Sequence, residues 1–422
     1  SQSGSAEVVV NPLPTATISG TTIVCRDDAF PEVTFTGSGG TPPYTFTYTV
    51  NSGDPQTTTT IAGNSAIVPV PTDTEGVFTY ALVGVSDRAG AGCSRGETGS
   101  ATITINPLPT ATIEGSAEVC RDGIPPEITF TGFDGTAPYT FTYSINGGSP
   151  QGITTTVGNS ISIPVATGSV GVFEYRLLEV QDNSTTNCSQ VQPGSATVTV
   201  NPLPLASVTG TATVCRYAVS PDVTFSGSNG TAPYTFTYTV NSEGPFTLTT
   251  TTGNSVTVPA PTDVVGSHTY SLVSVRDASS TACIQSQTGS ITITVEELPT
   301  ATINGSTEVC RFGTFPNITF TGTGGTAPYT FTYNINGGSS QSITTESGSS
   351  ISIPVPTGTA GTFIYELENV RDAGATSCEQ SVSGTATVTV NPLPQATISG
   401  ATTVCRFDPE PYITFTGSNG TE

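Results

Sequence analysis

A nine-residue stretch, Gly-Thr-X-Pro-Tyr-Thr-Phe-Thr-Tyr, begins at Gly40 and returns at Gly135, Gly230 and Gly325, 95 residues on each time. Cys25, Cys120, Cys215, Cys310 and Cys405 keep the same step, and so do Cys93, Cys188, Cys283 and Cys378. No net insertion or deletion separates these landmarks in four full copies. So strict a period marks an array in which each copy is one structural unit. A unit of this size can fold alone around a modest core. The expected organisation is a terminal strand of a preceding repeat at 1–10, repeats at 11–105, 106–200, 201–295 and 296–390, and a partial fifth at 391–422. The first assignment rests on the likeness of Ser1–Val10 to Gly96–Ile105, and the chain is expected to be cut from a longer protein.

Within a repeat the hydrophobic period is two. Tyr44, Phe46, Tyr48 and Val50 alternate with Thr45, Thr47 and Thr49, which predicts one buried face and one wet threonine face. Phe78, Tyr80 and Leu82 alternate in the same way, and Val85 falls out of step, which predicts a bulge. Thr15–Ile18 and Thr22–Cys25 read as short strands around a Ser-Gly turn. Asn51-Ser-Gly and Asn146-Gly-Gly read as hairpin turns. Pro69 assigns 67–70 to a sheet edge, where a missing N–H is tolerated. No helical stripe occurs. Seven or eight short strands per repeat predict an all-β chain: a tandem array of immunoglobulin-like β-sandwiches forming an extended rod. With no Trp in the chain, Tyr and Phe must fill the core. Asn11-Pro-Leu-Pro14 recurs at Asn106, Asn201 and Asn391, and as Glu296-Glu-Leu-Pro299. Alternate prolines directly after a strand predict a short, semi-rigid, extended joint.

Composition narrows the function. The chain carries 32 acidic residues against 10 basic ones, a net charge of −22, and every base is Arg. Such a surface repels nucleic acid and anionic membranes. No apolar run approaches the ~18 residues of a membrane span. Nucleophilic triads need a base, and His268, the only histidine, fills the slot held by Phe78, Phe173 and Phe363. The Gly37–Gly40 turn joins strand to strand and has no helix N-terminus to bind an anion. No catalytic, cofactor or metal residues are assigned. Nine cysteines at two fixed positions per repeat point to disulfides and an extracellular setting. Asp87, Asp182, Asp277 and Asp372 recur before the second cysteine, and Arg26, Arg121, Arg216, Arg311 and Arg406 follow the first. Other charges drift between repeats, so the expectation is a structural ion pair: Arg26–Asp87, Arg121–Asp182, Arg216–Asp277 and Arg311–Asp372. A calcium site at the joint is the sharper alternative, with no Asp-x-Asp cluster to support it. The residue after each Cys-Arg varies (Asp27, Asp122, Tyr217, Phe312, Phe407), which argues against a binding platform shared by all repeats.

Cys25-Arg26 before a Thr-rich strand, the Gly-Gly-Thr-Pro-Pro-Tyr-Thr-Phe run from Gly39, Tyr80–Asp87 before the second cysteine, and Gly99–Ile105 together resemble the immunoglobulin/PKD-like repeats of giant Bacteroidota surface adhesins. Gliding-motility adhesins exported by type IX secretion are the best-known members. The resemblance covers the whole chain. It implies a non-enzymatic stalk segment of an extracellular, cell-surface adhesin fibre, acting in bacterial surface adhesion or gliding motility. Its partners would be neighbouring repeats of the same longer chain, together with surface glycans or other copies of the fibre. The alternatives are a carbohydrate-binding module array of a secreted polysaccharide-degrading protein, and a surface-layer or self-assembling filament subunit. Two disulfide patterns fit the spacing. One closes each repeat, as Cys25–Cys93, Cys120–Cys188, Cys215–Cys283 and Cys310–Cys378, with Cys405 unpaired in this window. The other crosses each joint, as Cys93–Cys120. The first is preferred, because it makes each repeat self-contained and fits the resemblance.

Overall fold

The structure, a computed structural model, describes residues 4–88, 90 and 92–419. The chain packs as two units, Ser1–Pro202 and Leu203–Glu422. Every regular element among the described residues is a β-strand.

In the first unit, strands β1 (Thr15–Ser19), β2 (Thr22–Cys25), β3 (Glu32–Ser38), β4 (Thr45–Val50), β5 (Gln56–Thr59), β6 (Ser65–Pro69), β7 (Gly76–Ser86) and β8 (Ser94–Asn106) build one sandwich. Its sheets run β1-β3-β6 and β2-β8-β7-β4-β5. The second sandwich repeats this with β9 (Thr110–Glu114), β10 (Ala117–Cys120), β11 (Glu127–Phe133), β12 (Thr140–Ile145), β13 (Gln151–Thr154), β14 (Ser160–Pro164), β15 (Gly171–Gln181) and β16 (Ser189–Asn201). The second unit holds two further sandwiches of the same order, and a two-stranded ribbon of Gln395–Ser399 with Thr414–Ser418. Residues 4–10 carry no strand. Their three consecutive valines suit one, but extended backbone needs a neighbour for its N–H and C=O groups, and the first strand of the sandwich starts at Thr15.

The alternation sets the core. Tyr44, Phe46 and Tyr48 are buried, and Thr45, Thr47 and Thr49 face the other side. Those threonines are half-buried rather than wet, because their rows pair across strands, as in Thr45 Oγ1 to Thr59 Oγ1 at 3.0 Å. Phe35 from the opposing sheet stacks on Phe46, centroids 5.6 Å apart, and lies 4.9 Å from Tyr48. This aromatic cluster occupies the centre that a tryptophan commonly fills. Pro69 ends β6 at the edge of the three-stranded sheet. The register slips at Val83, leaving it 45% exposed and turning Val85 into the core. His268 lies on its strand opposite Ile293, half-buried, with Nε2 2.9 Å from the Val264 carbonyl oxygen.

Ser19-Gly20 does more than turn the chain. β1 belongs to the three-stranded sheet, and β2 crosses to the other, where it pairs with β8 in parallel, Thr22 opposite Ile103 and Cys25 opposite Asn106. Gly20 has φ +119°, and a side chain there would run into the Glu32 carbonyl oxygen. Glycine is required on both counts.

Phe46→Ala should destabilise its repeat by about 3–5 kcal/mol, the usual cost of emptying a buried phenylalanine site. Thr47→Ala should cost under ~1 kcal/mol. Scanning calorimetry of the two variants checks this. Equal losses would mean that the two faces of β4 are wrongly assigned.

Candidate functional site

Each sandwich has two ends. At the exit end β8 leaves for the next repeat. At the near end β7 finishes and β8 begins.

The near end is organised around the buried aspartate. Asp87 Oδ2 accepts from the Thr41 N–H at 3.0 Å, and Oδ1 accepts from the Cys93 N–H at 3.1 Å. Asp182, Asp277 and Asp372 hold Thr136, Thr231 and Thr326 in the same way. Gly40 lies so close that an added Cβ would sit 2.5 Å from Asp87 Oδ2. The Tyr44 hydroxyl donates to the Gly40 carbonyl at 2.8 Å, its N–H donates to the buried Thr60 hydroxyl, and its ring lies over Gly37, where a Cβ would be 2.6 Å away. The recurrent Gly-Thr-X-Pro-Tyr run is therefore a corner: aspartate fixes its backbone, tyrosine ties it back, and glycines make room for both.

The exit end is organised around the first cysteine. The Arg26 N–H donates to the Asn106 carbonyl at 2.9 Å, fastening the end of β2 to the end of β8. The next residue adopts a left-handed backbone in every copy, with φ of 62° at Asp27, 59° at Asp122, 64° at Tyr217, 63° at Phe312 and 82° at Phe407. A bulky aromatic rarely accepts that conformation. Here it leaves Tyr217 and Phe312 exposed, with the guanidinium of Arg216 or Arg311 stacked 4.7 Å from the ring centroid.

The expected ion pairs do not form. Among the described residues Arg26 reaches Glu75 at 3.2 Å and Asp27 at 3.6 Å, the Glu75 hydrogen bond raising its pKa. Arg121 reaches Asp122, Arg216 donates to the Asp263 carbonyl and Arg311 to the Gly358 carbonyl. Among the described residues the four arginines find their partners elsewhere than at Asp87, Asp182, Asp277 and Asp372. The arginine follows β2 at the exit end and the aspartate follows β7 at the near end. The eleven residues of β7 separate them by roughly 35 Å.

The same geometry overturns the expected disulfides. Cys25 bonds Cys188, and Cys215 bonds Cys378, each pair with Cα atoms 5.6 Å apart and a sequence separation of 163. Cys120 and Cys283 are also disulfide-bonded, and Cys93, Cys310 and Cys405 are free. Thus Cys25–Cys93, Cys120–Cys188, Cys215–Cys283 and Cys310–Cys378 are all absent. Cys25 lies at the exit end and Cys93 at the near end, about 40 Å apart along β8. A disulfide tolerates no more than about 7 Å between Cα atoms. The pattern that links Cys93 to Cys120 fails for the same reason, since it would span two sandwiches. The bond that forms joins the exit end of one repeat to the near end of the next.

Hydrogen bonds surround that bond. Asn106 Nδ2 donates to Thr186 Oγ1 at 3.0 Å, and Thr186 Oγ1 also lies within hydrogen-bonding distance of the sulfurs of Cys25 and Cys188. In the second unit Glu296 stands where Asn106 does. It accepts from the Thr376 hydroxyl at 2.5 Å and from the N–H groups of Thr376 and Ala375. These bonds, the hydroxyl's first, hold the Glu296 carboxyl below the usual carboxylate range. The second proline of the joint, Pro109, is buried, its Cβ 3.1 Å from where a Cβ on Gly135 would lie. Sequence reading missed Thr186 and Thr376, although Thr-X-Cys at 186–188, 281–283 and 376–378 was a usable signal.

Tryptic digestion without reduction tests the connectivity, since only arginines are cut. The expected product links Ser1–Arg26, Leu177–Arg216 and Asp372–Arg406, and releases Ala89–Arg95 with a free thiol. Recovery of Ala89–Arg95 joined to Ser1–Arg26 would contradict the bond from Cys25 to Cys188. Glu296 gives a pH dependence. Its folded pKa lies below the unfolded value of about 4.3, so its contribution is present above that pH and is lost as pH falls through the folded value. Thermal midpoints across pH 3–6 should fall more steeply for the native chain than for Glu296→Gln. Parallel curves would remove Glu296 from the joint's stability.

No protein-family model matches this sequence, and no curated protein matches it in sequence. Solved structures do resemble it. A Ca2+-stabilized adhesin that helps an Antarctic bacterium reach out and bind ice is 20% identical, with a TM-score of 0.37, over 90% of this chain and 99% of that one. A tetra-tandem repeat from the extending region of a large adhesion protein is 16% identical, with a TM-score of 0.29, over 89% and 98%. Titin domains I67–I69 are 13% identical, with a TM-score of 0.38, over 68% and 99%.

Proposed function

We propose that this chain is a structural stalk segment of a long extracellular adhesin fibre on a bacterial cell surface, serving surface adhesion or gliding motility after type IX export. The observation that carries the reading is the joint. A repeat that only bound ligand would need a flexible tether at most. Here each unit fastens one sandwich to the next by a disulfide, by a side-chain hydrogen bond and by a buried proline. Those fastenings suit a part whose task is to hold spacing. The disulfides fit an oxidising, extracellular location. A surplus of acids over bases fits long chains that stay apart in solution.

Two measurements test the proposal. Antibodies raised against residues 1–422 should label intact producing cells, and external protease should remove the label. Deleting residues 106–200 in the producing organism should leave adhesion in place while bringing the adhesive tip about one sandwich closer to the cell, as read by electron microscopy. Specific saccharide binding by the chain on a glycan array would favour the carbohydrate-binding alternative. Label found only inside cells would remove the stalk reading.

A further inference from the structure

We infer that the joint-crossing disulfides make a load line that bypasses the folded body of the repeats. This deepens the stalk reading and rests on it for its biological use. Follow tension through the first unit. It enters along β1 and β2, which carry the chain to the exit end of the first sandwich at Cys25. There the bond to Cys188 passes it directly to the near end of the second sandwich. It then runs along β16 to Asn201 at the exit end. Residues 26–187 lie inside the closed loop, off this shortest covalent path, and meet the tension only through the ladders beside β16 and the further disulfide at Cys120. The second unit repeats the route, with β-strands up to Cys215, the bond to Cys378, and then Glu379–Asn391.

Most of this route is already extended strand lying along its sandwich, so it has little length left to give. β16 is held on both sides, by β10 in parallel and by β15 antiparallel. Tension along it must shear both ladders together and cannot peel one bond at a time. The threonine and asparagine or glutamate contacts at the joint keep the two ends in register around the sulfur bridge. The inferred function is a fixed working length under load, set by covalent connectivity instead of by the stability of the domains.

Single-molecule stretching of the full chain, held at its two ends, tests this without reference to adhesion. Each closed loop sequesters about 160 residues, roughly 550 Å of extended chain. The oxidised chain should stop short of the reduced chain by roughly 1,100 Å. The oxidised double variant Cys25→Ser with Cys188→Ser should recover a large part of that difference but no more than about half, because the first loop is opened while the disulfides at Cys120, Cys283 and Cys215–Cys378 stay closed. The limit at high force depends on connectivity alone, so a variant that folds poorly still reports it. Equal final lengths for oxidised and reduced chains would overturn the load line. If instead the length difference appears but cells do not display the chain, the stalk reading fails while the load line stands.

Discussion

The parallel pairing of β2 with β8 is the constraint on which the rest of the joint depends. The last strand of a sandwich runs from the near end to the exit end. A strand that pairs with it antiparallel would return the first cysteine to the near end, beside the second. Parallel pairing carries it the other way, so that Cys25 stands opposite Asn106 where the chain leaves. The crossing at Gly20, from the three-stranded sheet to the five-stranded one, makes that direction possible. Once the direction is fixed, the cysteine, the arginine after it and the left-handed turn beyond are all committed to the interface with the following repeat.

The near end answers it with a rigid corner. Aspartate accepting backbone N–H groups is a charge-assisted arrangement, stronger than a neutral bond and better protected when buried. Asp87 orients the Gly-Thr-X-Pro-Tyr stretch through Thr41 and the loop before β8 through Cys93. In the second sandwich the corresponding loop presents Thr186 and Cys188 toward the repeat before it. The buried carboxylate therefore acts inside its own repeat and positions the group that leaves it. The chemistry at the partner side is allowed to vary. Asn106 donates to the threonine, whereas Glu296 accepts from it, because a threonine hydroxyl can do either.

Much of the fold was legible because period two is a local property. The inward placement of Phe46 and Tyr48, the edge position of Pro69 and the bulge beside Val85 each follow from a few neighbouring residues. The pairings were not legible, because spacing along the chain does not say which end of a sandwich a recurring position occupies. Arg26 and Asp87 both adjoin a cysteine and both recur, yet a strand of eleven residues holds them apart. Recurrence reported that each position matters, and it was read wrongly as reporting that they matter to each other. The direction of β2 would have settled both the ion pairs and the disulfides, and a four-residue strand after a Ser-Gly turn carries no local mark of its direction.

Thermodynamics gives little reason to prefer one disulfide pattern over the other. In the chain-entropy description, closing a loop of 163 residues restricts the unfolded chain by about 5 kcal/mol, against about 4 kcal/mol for a loop within one repeat. The difference is small because closure entropy grows only with the logarithm of length. The choice of partner changes something else. A bond inside a repeat would stabilise a sandwich and leave the proline joint to hold neighbours together unaided. A bond across the joint secures the same order of stabilisation and adds a covalent tie between one sandwich and the next. An array that had only to keep its domains folded would gain at least as much from the first arrangement, which closes one loop in every repeat. The second has its advantage where the distance between repeats must be kept.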